Sequence, residues 1–383
     1  MDKLFIVTAP GIAPYTLQEL SDLGLCANAD DYLKHDDSLH GGVELPGDME
    51  TIMRANLHLR TASRILVRIG GFYAESFAVF QHNAARLPWQ RYLKPGQPVA
   101  LRVTCQQTDL YLVRSVERVM LAAISERLKV PCKKAVLDEE GSAELPQIVV
   151  VRIVGQRVTI SVDTSGHLLH RRGYRLATAK APLRETLAAA ILMASGWKSP
   201  APLIDPFCGS GTFPIEAAML AANIPPGLNR MFAFMNWPSY DPALWEKVRA
   251  ESVKRITDGK TAQIYGSDRD AGAINASQEN AARAGVESMI QFSCHAVSAI
   301  QALPENGWIV TNPPYGVRVS ARNDLRNLYA QFGNVLRARF KGWHFSILCN
   351  DDQLISHTHM PFDKGVSFVN GGIGVKLSRG KVI

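Results

Sequence analysis

The chain has 383 residues, 46% hydrophobic and 20% charged, which is ordinary globular usage at a length of two to four domains of roughly 100 to 200 residues and excludes a disordered chain, a low-complexity fibre and a lone small module. Its longest apolar runs, such as residues 187–194, fall short of the roughly 18 to 20 residues that cross a bilayer, and the opening Met1-Asp2-Lys3 leads into Pro10 and Gly11, so neither a membrane span nor a secretory leader is expected. The net charge of +7 is unevenly placed: two bases against ten acids in residues 1–50 (−8), 19 against nine in 51–175 (+10), and 21 against 16 in 176–383 (+5).

Residues 3–8 are predicted as a strand and 14–23 as a helix with Leu17 and Leu20 inward, closed by Gly24. A strand at 41–45 and a helix over 49–63 complete an acidic α+β unit, 1–55. The basic segment, 56–165, follows with strands at 65–72 and 99–105 and a long helix over 110–128. In that helix Val113, Val116, Met120, Ala123, Ile124 and Leu128 recur at three- and four-residue steps, and Arg114, Arg118 and Arg127 take the other face. Alternating residues at 148–154 and 157–163 form a hairpin around Gly155 and Gln156. Such an excess of base marks a polyanion binder, because each neutralised phosphate releases counterions; a solvated basic surface is the alternative. Residues 164–180, rich in Gly and base, are read as a linker.

From Pro182 to the end, 166–383 being taken as one unit with its linker, helices alternate with short buried strands, the mark of a mainly parallel sheet. Pro182 stands at a helix start and Gly196 past its end. Strands are predicted at 202–207, 263–267, 288–294, 308–311 and 344–348, and helices at 212–223, 242–257, 270–284 and 324–339. Six dispersed cysteines without a CxxC pair are read as the reduced thiols of a cytoplasmic protein.

Three motifs carry chemistry. Asp205-Pro206-Phe207-Cys208-Gly209-Ser210-Gly211-Thr212 follows an apolar strand and opens a helix. Its glycines admit a ligand close to the backbone, and the helix start aims free N–H groups at it. Pro214 breaks the dinucleotide pattern GxGxxG and no phosphate-loop Lys follows; Asp205 suits a ligand with a cationic amine. The next strand ends in Tyr265-Gly266-Ser267-Asp268, where Asp268 can accept both hydroxyls of a ribose; Asp270 is a helix N-cap. The third is Asn312-Pro313-Pro314-Tyr315. Its prolines fix the backbone, so Asn312 and the Pro313 carbonyl can accept the two N–H bonds of an exocyclic amine while Tyr315 offers a face to the base.

With Leu169-His170-Arg171-Arg172-Gly173-Tyr174-Arg175, residues 181–191 and Gly316-Val317-Arg318, these motifs make the chain resemble class I S-adenosylmethionine-dependent RNA methyltransferases with an N-terminal THUMP domain, especially bacterial enzymes that methylate N2 of a guanine in 23S ribosomal RNA. The resemblance implies an α/β fold: a ferredoxin-like opening unit, a THUMP RNA-binding module, and a Rossmann-like methyltransferase whose last strands, 367–369 and 374–377, pair antiparallel. It implies S-adenosylmethionine held by Asp205, Phe207, Gly209, Ser210, Gly211, Thr212, Asp268 and Glu185, and a guanine received by Asn312, Pro313 and Tyr315. Arg184 and Glu185 are explained nearly as well by a surface ion pair. Where family members often place an Asp to meet the adenine, this chain has Cys294-His295-Ala296, so a backbone carbonyl, His295 or shape takes that role. RNA is the expected partner, ribosomal before transfer RNA, with no membrane and no metal. The pairs His167/His170 and His357/His359 lack a third ligand, and His170 is expected at the surface. Cys208 is read as a small packed residue, and the tryptophans as core, with Trp237 the one to test for base stacking. Adenine-N6 methylation of DNA and a non-catalytic RNA-binding protein remain as alternatives. A monomer is compatible with the sequence. Many relatives carry a second methyltransferase domain; here any such activity is expected from another protein.

Overall fold

A computed structural model of the protein describes residues 1–26, 41–136, 146–176, 183–259, 263–315 and 322–383. Strands β1 (Asp2–Val7), β2 (Gly42–Gly47), β3 (Arg64–Tyr73), β4 (Val99–Gln106), β5 (Gln147–Val154) and β6 (Arg157–Asp163) form one sheet in the order β2-β1-β3-β6-β5-β4. All neighbours are antiparallel except β4 with β5. The acidic opening segment and the basic one thus share a sheet, joined where β1 meets β3. Its inner face packs α1 (Ala13–Asp22), α2 (Met49–His58), α3 (Phe77–Ala85) and α4 (Val113–Leu128). Leu17, Leu20, Val116, Met120, Ala123 and Ile124 meet the inward strand residues Leu4, Ile6, Val149, Val151 and Ile160 in one core.

Two helices depart from the sequence reading. The helix expected over 49–63 stops at His58, because Leu59 turns extended (ψ 122°) and Glu19 of α1 takes the next N–H groups, those of Arg60 and Thr61. Helix α3 was not anticipated; its apolar residues lack a clean period, and tertiary burial of Phe80, Ala84 and Ala85 holds it.

Nor is the predicted linker loose over its described part, 164–176. Thr164 and Ser165 are buried. Arg172 is buried too, donating to Arg60 O (2.5 Å) and lying 3.5 Å from Glu216, while Arg230 donates to His167 O (2.7 Å) and Leu168 O (3.0 Å). His170 is correspondingly not a surface group: burial, then Arg184 and Arg172, hold its pKa down to about 3.

The second sheet contains β7 (Leu203–Asp205), β8 (Ile264–Asp268), β9 (Ile290–Cys294), β10 (Trp308–Thr311), β11 (His344–Cys349), β12 (Val366–Asn370) and β13 (Ile373–Lys381), ordered β12-β13-β11-β10-β7-β8-β9. Only β13 runs antiparallel to its neighbours, as expected of the last pair. Helices α5 (Glu185–Ser195), α6 (Thr212–Ala221), α8 (Ala271–Ala284), α9 (Arg322–Arg339) and α10 (Asp352–Ser356) accompany it, while α7 (Pro242–Lys254) packs through Trp245 and Val248 into the core of the first sheet. The helix expected from Pro182 begins at Glu185, with Arg184 as N-cap; Pro182 lies outside the described residues. Leu187, Ile191 and Phe213 fill one core and Tyr329, Phe332 and Phe345 another. Strand order reverses between β7 and β10, which opens a ligand crevice at their carboxyl ends.

Trp237 is buried, donating to Gln147 Oε1 (2.7 Å) and meeting Tyr92 edge-on at 4.9 Å. It joins the halves of the molecule and offers no free face to a base. All six cysteines are unpaired. Among the described residues no helix is long and apolar enough to cross a membrane.

Candidate active site

β7 ends in Asp205, a buried carboxylate whose Oδ1 accepts from Thr311 Oγ1 (2.6 Å) and from the Phe207 N–H (3.2 Å). Thr311 closes β10, so this bond ties the two strands that flank the crevice. Burial pushes the Asp205 pKa up to about 7, with the donors opposing it and Asp268 adding to it. Gly209 and Gly211 follow at φ +52° and +82°, where a side chain costs roughly 1–2 kcal/mol. A Cβ on Gly211 would also lie 3.1 Å from the Ser277 Cβ, whereas one on Gly209 would meet nothing within 4 Å. The loop is therefore tight beneath and open above.

Helix α8 braces this loop. Ser277 Oγ lies 2.6 Å from Gly209 O, and Asn280 Nδ2 donates to Ser210 O at 3.0 Å. Asp268, at the end of β8, accepts from the Gly209 N–H through Oδ2 and from the Asp270 N–H through Oδ1, both 3.0 Å, leaving lone pairs on each oxygen. Asp270 caps α8 through Gly272 N and Ala273 N. Cys208 is buried, and burial first raises its thiol pKa well beyond the usual range, which keeps it a neutral packing group.

Glu185 does not form a surface pair with Arg184. It is buried at the start of α5, 3.5 Å from Arg175, whose Nη2 also donates to Thr212 Oγ1 (2.6 Å). Arg175 thereby places Glu185 beside the first residue of α6. Burial raises the Glu185 pKa against the lowering by Arg175, and its Oε2 is buried without a partner among the described residues. The Phe207 ring meets Phe332 edge-on at 5.4 Å, and its backbone N–H is a donor to Asp205.

Across the crevice, Asn312 Oδ1 is a buried acceptor with no partner among the described residues. An unmet buried acceptor costs roughly 1–3 kcal/mol. Pro313 is buried beside it; Tyr329 OH lies 3.4 Å from Pro314 O, and the half-buried Tyr315 hydroxyl is bonded to Asn370 of β12. Gly316, Val317 and Arg318 lie outside the described residues. At the neighbouring edge the His295 N–H donates to Asp268 O (3.0 Å), while the ring is engaged locally with Ser293 Oγ (3.0 Å) and Ala296 O (3.1 Å). A cavity of about 230 Å³ adjoins it, lined by Ile204, Tyr265, Ser267, His295 and Ile300 among others.

Sequence reasoning passed over Thr311, Ser277, Asn280 and Arg175. A signal existed for two of them: Ser277 and Asn280, three residues apart, share the buried face of α8 with Ile274 and Ala281, and buried polar groups need partners.

Residues 172–378 match a family model described as an RMKL-like methyltransferase domain, and residues 3–66 one described as the RlmL ferredoxin-like domain. The ribosomal RNA large subunit methyltransferase K/L of Psychromonas ingrahamii is 32% identical over 100% of this chain and 50% of its own length. YpsC of Bacillus subtilis, named provisionally as an RNA methyltransferase, is 35% identical over 86% of this chain and 83% of its own. The chain spans about half the length of the K/L relatives it matches. Among solved structures, SMU.472, described provisionally as a methyltransferase and crystallised with SAH, superposes with a TM-score of 0.87 at 30% identity, covering 100% of this chain and 98% of that one.

Proposed function

The chain belongs to the family of RMKL-like methyltransferase domains, and from that premise we propose that it transfers a methyl group from S-adenosylmethionine to the exocyclic N2 of a guanine in large-subunit ribosomal RNA. The observation that carries this reading is the orphan acceptor Asn312 Oδ1, one residue past Thr311, which is bonded to the Asp205 that opens the glycine loop. A buried oxygen without a donor among the described residues is suited to an N–H brought by a substrate.

The residues present fit the cofactor. Asp205 and the unmet Glu185 oxygen suit a cationic amino group, the open side of Gly209 admits a ligand against the backbone, and Asp268 retains acceptor capacity for ribose hydroxyls. S-adenosylmethionine supplies, when bound, a methyl carbon made electrophilic by a positive sulfur. The chain's own residues do the rest. Asn312 Oδ1 and the Pro313 carbonyl accept the two amine N–H bonds, which orients the nitrogen lone pair and stabilises charge developing there. Tyr315, anchored through Asn370, offers the face against which a flipped guanine stacks. The reaction so written uses no metal. The basic strands of the first sheet serve as the THUMP-type RNA-binding part, in the cytoplasm where ribosomal RNA is made.

The test is nucleoside analysis of RNA and DNA from a strain lacking the gene. Loss of N2-methylguanosine from one large-subunit rRNA fragment is the expected result. Loss from transfer RNA, or loss of N6-methyladenine from DNA, would reassign the substrate. Unchanged nucleosides together with no S-adenosylmethionine binding by calorimetry would leave a non-catalytic protein.

A further inference from the structure

The first sheet has a second face, and its residues follow from register alone. Side chains alternate along a strand, so paired residues share a face. One row across the sheet reads Gln106, Val154, Arg157, Tyr73; the next Thr104, Arg152, Thr159, Gly71; a third Arg102, Val150, Ser161, Arg68, Lys3. None of these residues belongs to the core formed with α1 to α4. At the centre of the first two rows Arg152 and Arg157 are exposed and stand diagonally across the β5–β6 pair, a spacing of about 7 to 8 Å.

The rows hold five bases and no acid. Glu44, one row further on, pairs with Lys3 and with Arg68 (2.5 Å), and Arg68 lies over the Phe5 ring at 4.2 Å. Nothing comparable attends Arg152 or Arg157: among the described residues neither forms an ion pair. Two exposed, uncompensated cations at this spacing are accounted for by a polyanion bound from outside. Tyr73, directly opposite Arg157, is 69% exposed, a flat ring beside a cation, which is the combination that stacks an unpaired base above a held phosphate. The basic face of α4 is a weaker candidate. Between its exposed Arg114 and Arg118 and the adjoining loop lies the Lys134–Glu117 pair (2.6 Å), and Glu126 follows on the same helix.

We propose that the open face of the first sheet, centred on Arg152, Arg157 and Tyr73, is where this protein holds the sugar-phosphate backbone of its RNA substrate. This rests on the RNA methyltransferase reading above and names the face and the side chains that make the contact.

The test is filter binding of deproteinised 23S rRNA across a salt series, with the full chain. Arg152→Gln/Arg157→Gln should weaken binding about tenfold and lessen the slope of log affinity against log salt by about 1.4 to 1.8, the loss of two phosphate contacts. Tyr73→Ala should weaken binding with the slope unchanged. Melting temperature should not fall and S-adenosylmethionine affinity should not move, since all three side chains are exposed and apart from the crevice. A double-variant curve that superposes on wild type at every salt concentration overturns the proposal, and a loss confined to Arg114→Gln/Arg118→Gln reassigns the contact to α4. Equal competition by poly-glutamate overturns it in favour of an acidic protein partner. Failure of the wild type to bind any RNA would instead bring down the substrate reading on which this face depends.

Discussion

Asp205→Asn separates the two consequences of sinking a carboxylate beneath the glycine loop. The side chain is 2% exposed, and burial lifts its pKa from 3.8 to about 7. About three pKa units correspond to about 4 kcal/mol. The folded protein keeps its proton until about pH 7, while the unfolded chain releases it near 3.8. The Asp205 contribution to stability is therefore greatest below the unfolded value, declines as pH rises between the two, and levels off above the folded one. Asparagine has no proton to lose. Between about pH 5 and about pH 8.5, the stability of Asp205→Asn relative to wild type should rise by about 2 to 3 kcal/mol. Any penalty of the amide itself is the same at both pH values and cancels. Urea unfolding followed by tryptophan fluorescence reads this difference, and calorimetry on the same samples should show S-adenosylmethionine affinity lost at both. A relative stability that does not change with pH would refute the account of an isolated buried acid.

Asn312→Ala should lower turnover by about 10²- to 10³-fold, the usual loss of one transition-state hydrogen-bond partner, with RNA affinity in filter binding unchanged. Gly211→Ala forces a side chain into the left-handed region against Ser277; a loss of about 1–2 kcal/mol in stability and a raised KM for S-adenosylmethionine are expected by denaturation and steady-state kinetics. Trp237→Phe removes the bond to Gln147 and should reduce stability by about 1 kcal/mol, with RNA binding intact; impaired binding at full stability would return Trp237 to the interface.

Short-range features were readable in the chain because their causes lie within a few residues. The turn after β7 needs glycines wherever φ is positive, Asp270 caps the helix that follows it, and the apolar steps of α4 repeat at its own pitch. The antiparallel last pair came from resemblance to relatives, and register confirms the pairing. Other features were set by partners distant in sequence. Glu19 ends α2 by taking N–H groups 41 and 42 positions away. Thr311 finds Asp205 across 106 positions. Two segments of opposite charge become one sheet only when β1 meets β3, and the bases of that sheet become a surface only when register sorts alternate residues to opposite faces. Local torsion preferences and periodicity thus determined which elements form and which motifs carry chemistry, while the three-dimensional fold decided which carboxylate loses its water, which acceptor is left without a donor and which arginines stand together.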